Sequence, residues 1–378
     1  MADTLIAPGG AAPTDQSWTR REILQQPGTL RATQAMLRDS EQALRAFLDP
    51  LLAQPNLRVV LSGAGTSAFI GDSLAPALSS LLGRCVEAVP TTDIVSAPHL
   101  FLRRDTPTLL VSFGRSGESP ESLAAVEIAD ARLSSVHHLV ITCNASGQLA
   151  RRSGPKTHVV ILPEATHDRA FAMTSSFTGM MYAALAIFTG ISAMDERNAA
   201  IAEAVGQAIA VSEPHAAALA KRGFDRVVYL GSGVFKGLAR EAALKLLELS
   251  DGRLATLFDS SMGFRHGPKT VLKERTLVVL FVSNDPLTRR YDQDLLEELK
   301  SDGACGGLLA IATSDVGGET IVIPSLGQAD DVDLLFPFIV PAQLIGLEIS
   351  RSLGLNPDTP NASGTVNRVV NGVRIHQP

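Results

Sequence analysis

At 378 residues the chain is long enough for two domains or for one domain built twice, and a hydrophobic share of 45% fills buried cores, so disorder is excluded away from the ends. A formal net charge of -6, with no basic stripe interleaved with aromatics, excludes a nucleic-acid surface, and the expected partners are small molecules and other protein chains. Cys85, Cys143 and Cys305 are widely spaced and odd in number, which gives neither a disulfide framework nor a metal knuckle. The opening residues lack the basic start and apolar stretch of a secretory signal. The most apolar late stretch, residues 334–349, is interrupted by Pro337, Pro341, Gln343 and Glu348 and reads as too short to span a bilayer, so a cytoplasmic protein without a membrane partner is expected.

Residues 18–52 read as helix, opened by Thr19-Arg-Arg-Glu22. Residues 57–61 then form a strand, 62–67 a loop, 68–82 a helix, and 85–90 a strand again. Residues 108–113 are a short apolar run of the kind that fills the middle of a parallel sheet. A loop with two glycines and two serines follows, and residues 121–130 have helical spacing. Residues 138–143 and 159–162 add strands. Strand, loop and helix alternating in this way predict an α/β fold, a parallel sheet with helices on both faces.

The chain also repeats itself. Arg58-Val-Val-Leu-Ser-Gly-Ala-Gly aligns with Arg226-Val-Val-Tyr-Leu-Gly-Ser-Gly, and at the same offset Thr108-Leu-Leu-Val-Ser-Phe falls on Thr276-Leu-Val-Val-Leu-Phe. His138-Leu-Val-Ile-Thr-Cys matches Leu308-Leu-Ala-Ile-Ala-Thr after a slip of two residues. The expected organisation is an N-terminal helical segment (1–52), a first α/β unit (53–173), a helical connection (174–221), a second unit (222–354) and a tail (355–378).

The copies differ where chemistry would sit. Gly114-Arg-Ser-Gly-Glu-Ser119 in the first copy lets backbone N–H groups turn inward, adds hydroxyl donors and ends at a helix N-terminus, so it suits a phosphate; Ser119 before Pro120 is equally an ordinary helix cap. The second copy has Val282-Ser-Asn-Asp-Pro-Leu287 there, poor in glycine and carrying an acid. Gly63-Ala-Gly-Thr-Ser-Ala68 fits the dinucleotide fingerprint weakly, with Glu87 at the distance of a ribose-binding acid. Thr66 and Ser67 are the preferred reading, as hydroxyl donors to a polar ligand shared with Ser116. Glu241, Lys245 and Glu248 recur at helical spacing and form one polar stripe, either solvated or supplying a general base with Lys245 as its electrostatic neighbour. His266, between glycines in Gly263-Phe-Arg-His-Gly-Pro268, has the most site-like setting of the histidines, and none has metal-ligand spacing. Thr174 and Ser175, which close the cluster Thr166-His-Asp-Arg-Ala-Phe-Ala-Met-Thr-Ser, are helix caps or ligand contacts at the sheet's carboxyl edge.

Together these motifs, with Pro357-Asp-Thr-Pro-Asn-Ala-Ser-Gly-Thr-Val-Asn-Arg-Val-Val370 in the tail, resemble the sugar isomerase (SIS) family over nearly the whole chain. Within it they are most similar to the bacterial tagatose-6-phosphate ketose/aldose isomerase group, also read as galactosamine-6-phosphate deaminase. The resemblance implies two tandem SIS domains, no cofactor, and an amino-sugar phosphate substrate. It implies that Ser67, Arg115, Ser116 and Ser119 hold the 6-phosphate, that Thr66, Thr174 and Ser175 touch the sugar, and that the tail lies near the active site. Glu248 is then the base moving a proton between C1 and C2, supported by Lys245. His266 opens the ring, reaching the site from a neighbouring subunit, which implies at least a homodimer. The family's aminating synthase has a lysine in its tail; this chain has none after Lys300.

Overall fold

The computed structural model describes residues 16–361, 363–370 and 372–376; the opening of the chain and Ala362 of the tail motif lie outside the described residues. Two helices come first, α1 (Trp18–Leu24), capped by the Ser17 hydroxyl, and α2 (Gln26–Leu52) with Pro27 in its first turn. The first sheet unit runs β1 (Arg58–Ser62), α3 (Thr66–Leu82), β2 (Val86–Ala88), the short helices α4 (Thr91–Ser96) and α5 (Pro98–Phe101), β3 (Thr108–Gly114), α6 (Pro120–Arg132), β4 (Val136–Thr142) and β5 (Thr157–Ile161). Helices α7 (Ser175–Thr189) and α8 (Asp195–Ala220) lead to the second unit. It runs β6 (Arg226–Gly231), α9 (Phe235–Leu249), β7 (Ala255–Asp259), α10 (Ser261–Phe264), β8 (Thr276–Phe281), α11 (Pro286–Asp302), β9 (Gly307–Ala312), β10 (Glu319–Val322) and α12 (Asp331–Ser352).

Both sheets are parallel and share one strand order, β2-β1-β3-β4-β5 and β7-β6-β8-β9-β10. The internal repeat fixes register as well as order: Arg58 pairs with Thr108 in the first sheet and Arg226 with Thr276 in the second. The same turn geometry recurs at the head of each unit. A Cβ on Gly63 would lie 2.6 Å from Ser67, and one on Gly231 would lie 2.6 Å from Phe235, so only glycine lets the strand turn directly into its helix at either place.

Three elements depart from the sequence reading. Strands β7 and β10 are short and half-exposed, so neither carries the apolar run that marked the others. The stretch around Pro337 and Pro341 is not interrupted: α12 runs through both prolines for 22 residues. It is long and apolar enough to cross a bilayer, but 94% of that window is buried against the fold, where α8 and α9 pack on it. That packing offsets the donors the prolines lack.

The two units are joined where α9 crosses α3. A Cβ on Gly237 would meet the backbone N of Ser73 at 2.5 Å and the carbonyl carbon of Asp72 at 2.6 Å. Backbone atoms cannot move aside as a flexible side chain can, so this close crossing depends on glycine. Gly237→Val should lower stability by about 2 kcal/mol or more in urea unfolding, the cost of overpacking a tight interface. Gly206→Ala, in the interior of α8 with nothing within 4 Å of the added methyl, should instead raise it by about 0.5–1 kcal/mol.

Candidate active site

The loops after β1 and β3 leave toward opposite sides of the first sheet, because β2 and β4 lie outside that central pair. Open parallel sheets bind ligands in the crevice this creates. A cleft of about 210 Å³ opens there. Thr66 and Ser67 line it from the first turn of α3, Arg115, Ser116 and Ser119 from the loop between β3 and α6, Glu248 from α9, and residues 366–370 from the tail. The N-termini of α3 and α6 both reach this wall, so backbone N–H groups and two helix dipoles face the same space.

The loop is held from behind by residues the sequence did not single out. Asn144 Nδ2 donates to the Ser116 carbonyl at 2.8 Å, and Thr142 Oγ1 donates to the Gly114 carbonyl at 2.7 Å. Gly147 leaves room for that arrangement, since a Cβ on it would stand 2.5 Å from the Ser116 oxygen. Gly117 adopts φ +63°, the left-handed conformation that the reversal requires. Ser119 is the cap of α6 and also reaches the cleft. Its Oγ accepts from the Ser122 N–H at 3.2 Å. Its proton is given to Ser122 Oγ at 2.8 Å, so donating to a ligand requires that hydroxyl to turn.

The stripe on α9 is not solvated. Glu241 and Lys245 are fully buried, and Lys245 Nζ lies 2.5 Å from Glu248 Oε2 and 3.5 Å from Glu241 Oε1. Burial pushes the Glu241 carboxyl up to about 8; Lys245 opposes this, and Glu248 adds to it. Thr66 also faces Glu241, yet neither oxygen of that carboxylate completes a hydrogen bond. The two carboxylates raise the Lys245 ammonium above its ordinary value against the opposing effect of burial. Glu248 is the member of this chain whose carboxylate reaches the cleft, with a side chain 22% exposed.

Other expected site residues lie elsewhere. Thr174 and Ser175 do not line the cleft; Phe171 and Met173 do. Asp168, fully buried, accepts from the Thr174 N–H at 2.7 Å, the Ser175 hydroxyl at 2.5 Å and both the N–H and hydroxyl of Ser176, which draws these residues into the start of α7. Thr174 Oγ1 is left buried without a partner. His266 is exposed on the loop after α10 and is not on the cleft of its own chain. Glu87, the candidate ribose acid, is held by Arg58 and Arg103, with Arg58 keeping its carboxyl below the usual range. Behind the cleft Glu22 accepts from the N–H groups of Arg169 and Ala170. Burial, with Asp168 nearby, lifts its carboxyl to about 8. In the sequence Glu22 reads only as part of the helix-opening Thr19-Arg-Arg-Glu22, which gives no sign of its place behind the cleft.

At the second unit's crevice, side chains of the described residues fill the space between the loops. Phe235 stands where the first unit has Ser67, tilted against Phe281 and stacked on Phe338. Asp292 fills the space between the loops, accepting from the hydroxyls of Ser232 (3.1 Å) and Ser261 (2.5 Å) and from the Ser283 N–H (3.0 Å). Asp285 caps α11 through the N–H groups of Leu287 and Thr288. Where an anion would sit, the second unit carries its own carboxylates.

Comparison with known proteins agrees with this architecture. Residues 51–190 match the family model described as SIS domain. The chain is 51% identical to a Streptomyces coelicolor protein provisionally named D-galactosamine-6-phosphate deaminase AgaS, over 98% of this chain and 99% of that one. It is 46% identical to the D-galactosamine-6-phosphate deaminase AgaS of Escherichia coli O157:H7, over 97% of each. The crystal structure of tagatose-6-phosphate ketose/aldose isomerase from Escherichia coli superposes with a TM-score of 0.90 at 42% identity, covering 97% of this chain and 98% of that one.

Glu22 offers a test of the wall behind the cleft. Its folded-state pKa is raised, so its contribution to stability is complete below about 4.5 and is lost as pH rises toward about 8. Glu22→Gln keeps an acceptor for the two N–H groups and cannot ionise. The difference in urea midpoint between variant and wild type should therefore widen in the variant's favour between about pH 5 and pH 9, and parallel curves would contradict the assignment.

Proposed function

The chain belongs to the SIS domain family, and on that premise we propose that it converts galactosamine 6-phosphate to tagatose 6-phosphate and ammonia. The observation that carries this reading is the convergence of a hydroxyl-lined, doubly helix-capped loop and the Glu248 carboxylate, backed by Lys245, on one cleft. The relatives' names supply the substrate; the cleft supplies a division of tasks that fits it.

In this mechanism the 6-phosphate lies on Ser67, Ser116 and Ser119 at the N-termini of α3 and α6. Thr66 contacts the sugar, and Thr174 and Ser175 shape its surroundings from behind Met173 by way of Asp168. His266, exposed on its own chain, opens the ring in the cleft of a second copy, so the working assembly is at least a homodimer. Glu248 then removes the C2 proton of the open-chain aldehyde as solvent protonates O1, giving an enolamine with a hydroxyl at C1 and the amine at C2, and returns the proton to C1 as the nitrogen gives one up to solvent. The product is an imine at C2. Water adds to that carbon and ammonia leaves, yielding the ketose phosphate. The nitrogen is the substrate's own, so no amine from the tail is needed, in accord with a tail without lysine. Lys245 holds the Glu248 carboxylate in place through its ammonium at 2.5 Å. After Glu248 has taken the proton, Lys245 still has the Glu241 carboxyl beside it at 3.5 Å. The same shuttle on a sugar with oxygen at C2 gives plain aldose–ketose isomerisation. The proposed setting is the cytoplasm, in amino-sugar catabolism.

Glu248→Gln should bind sugar phosphate with little change while ammonia release falls about 10²–10⁴-fold, the usual worth of a positioned base; unchanged release would refute the assignment. Replacing Ser116 and Ser119 together by Ala should mainly raise KM, because phosphate contacts are made in the ground and transition states alike. Both are read by assaying ammonia against galactosamine 6-phosphate, glucosamine 6-phosphate and their N-acetyl forms.

A further inference from the structure

Arg115 is the cation of the loop between β3 and α6, but its guanidinium is already engaged. Nη1 donates to the carbonyls of Ala170 (3.1 Å) and Phe171 (3.0 Å), and Nη2 donates to the carbonyl of Arg368 (2.8 Å). The side chain is buried, with 7% of the residue exposed. Burial and the nearby Arg368 lower its pKa, opposed by Asp168 and Glu248. One planar fork thus ties together the phosphate loop, the segment before α7 and the tail, which are three of the walls of the cleft.

The tail is pinned at further points along its length. Asp358 accepts from the N–H groups of Trp18 and Thr19 at 2.9 and 2.8 Å, and its carbonyl accepts from the Phe171 N–H at 3.0 Å. Asn361 Nδ2 donates to Asp251 at 2.8 Å, and the Arg368 side chain donates to the Asp168 carbonyl. Residues 366–370, held in this way, form a side of the cleft. Of these ties, the bond from Arg115 to the Arg368 carbonyl is the one that starts in the loop assigned to the phosphate.

We propose that Arg115 is a positioning residue that seats tail residues 366–370 as the roof of the sugar cleft and couples that roof to phosphate occupancy of its own loop. This rests on the reading of the cleft as an amino-sugar phosphate site. A phosphate that orders the loop orders the guanidinium, and the guanidinium holds the roof over C1 and C2, where Glu248 moves its proton. A lysine at this position keeps the charge but has a single ammonium, which cannot span three carbonyls on two separate segments. Lysine therefore separates the clamp from a simple charge on the phosphate.

The test uses the full-length protein as wild type, Arg115→Lys and Arg115→Gln, with inorganic phosphate as the probe. Trypsin cleavage after Arg368, followed by mass spectrometry, reads the roof; calorimetry reads phosphate binding; ammonia release reads turnover. Phosphate should slow cleavage after Arg368 in the wild type. In both variants that cleavage should run about tenfold faster and no longer respond to phosphate, since proteolysis follows local opening. Arg115→Lys should bind phosphate within about threefold of wild type while kcat falls about tenfold or more, a loss confined to turnover. An Arg115→Lys protein with wild-type protection of the tail and phosphate binding weakened about tenfold would overturn the clamp and make Arg115 a direct phosphate ligand. Should the variants fail to fold, a wild-type cleavage rate indifferent to phosphate would overturn the coupling alone. Failure of wild type to release ammonia from any amino-sugar phosphate would reject the function while the protease and calorimetry results still decide the clamp.

Discussion

The close crossing of α3 and α9 is the contact on which the site depends. Helix α3 belongs to the first unit and begins with Thr66 and Ser67; α9 belongs to the second and ends beside Glu248. The first unit supplies the open hydroxyl-lined crevice, and the second supplies the Glu248 carboxylate that reaches it. They meet because Gly237 lets α9 lie against the backbone of Asp72 and Ser73. The buried Glu241–Lys245–Glu248 array then has a wall to face, and Thr66 stands on that wall.

Duplication supplied a scaffold and divergence divided its labour. The glycine at the end of β1 and of β6 does the same steric work in both units, yet the residue it accommodates is Ser67 in one and Phe235 in the other. The first loop is left polar and open. In the second, Asp292 and Asp285 occupy donors that would otherwise invite an anion. A self-filled crevice keeps a negatively charged substrate at one end of the molecule, and it frees α9 to serve the neighbouring unit's cleft.

Much of this was legible in the sequence, for identifiable reasons. Buried parallel strands are short runs of β-branched and aliphatic residues, and glycine turns punctuate them, so β1, β3, β4, β6, β8 and β9 and the repeat relating them could be read directly. The loop proposed to hold the phosphate was readable because its donors are contiguous. What escaped was set by tertiary packing. Strand β7 is half-exposed and unpatterned, and α12 survives two prolines because its surroundings are dense. Asp168, Glu22 and Asn144 act on the cleft through backbone groups of distant segments. The position of Ser175 after a strand, at the sheet's carboxyl edge, does not show that its hydroxyl is held by Asp168. Lys245 and Glu241 read as solvated as easily as catalytic, since helical spacing gives a face but not what covers it.

The central claim is that one unit grips the anionic end of the sugar while the other brings the acid to its carbons. Its most direct measurement is a structure of the assembled protein with 2-amino-2-deoxygalactitol 6-phosphate, an open-chain analogue that cannot isomerise. The account predicts phosphate oxygens bonded to Ser67, Ser116 and Ser119, with C2 about 3–3.5 Å from the Glu248 carboxylate. A phosphate seated outside that loop, or a C2 turned away from Glu248 in every copy, would contradict it.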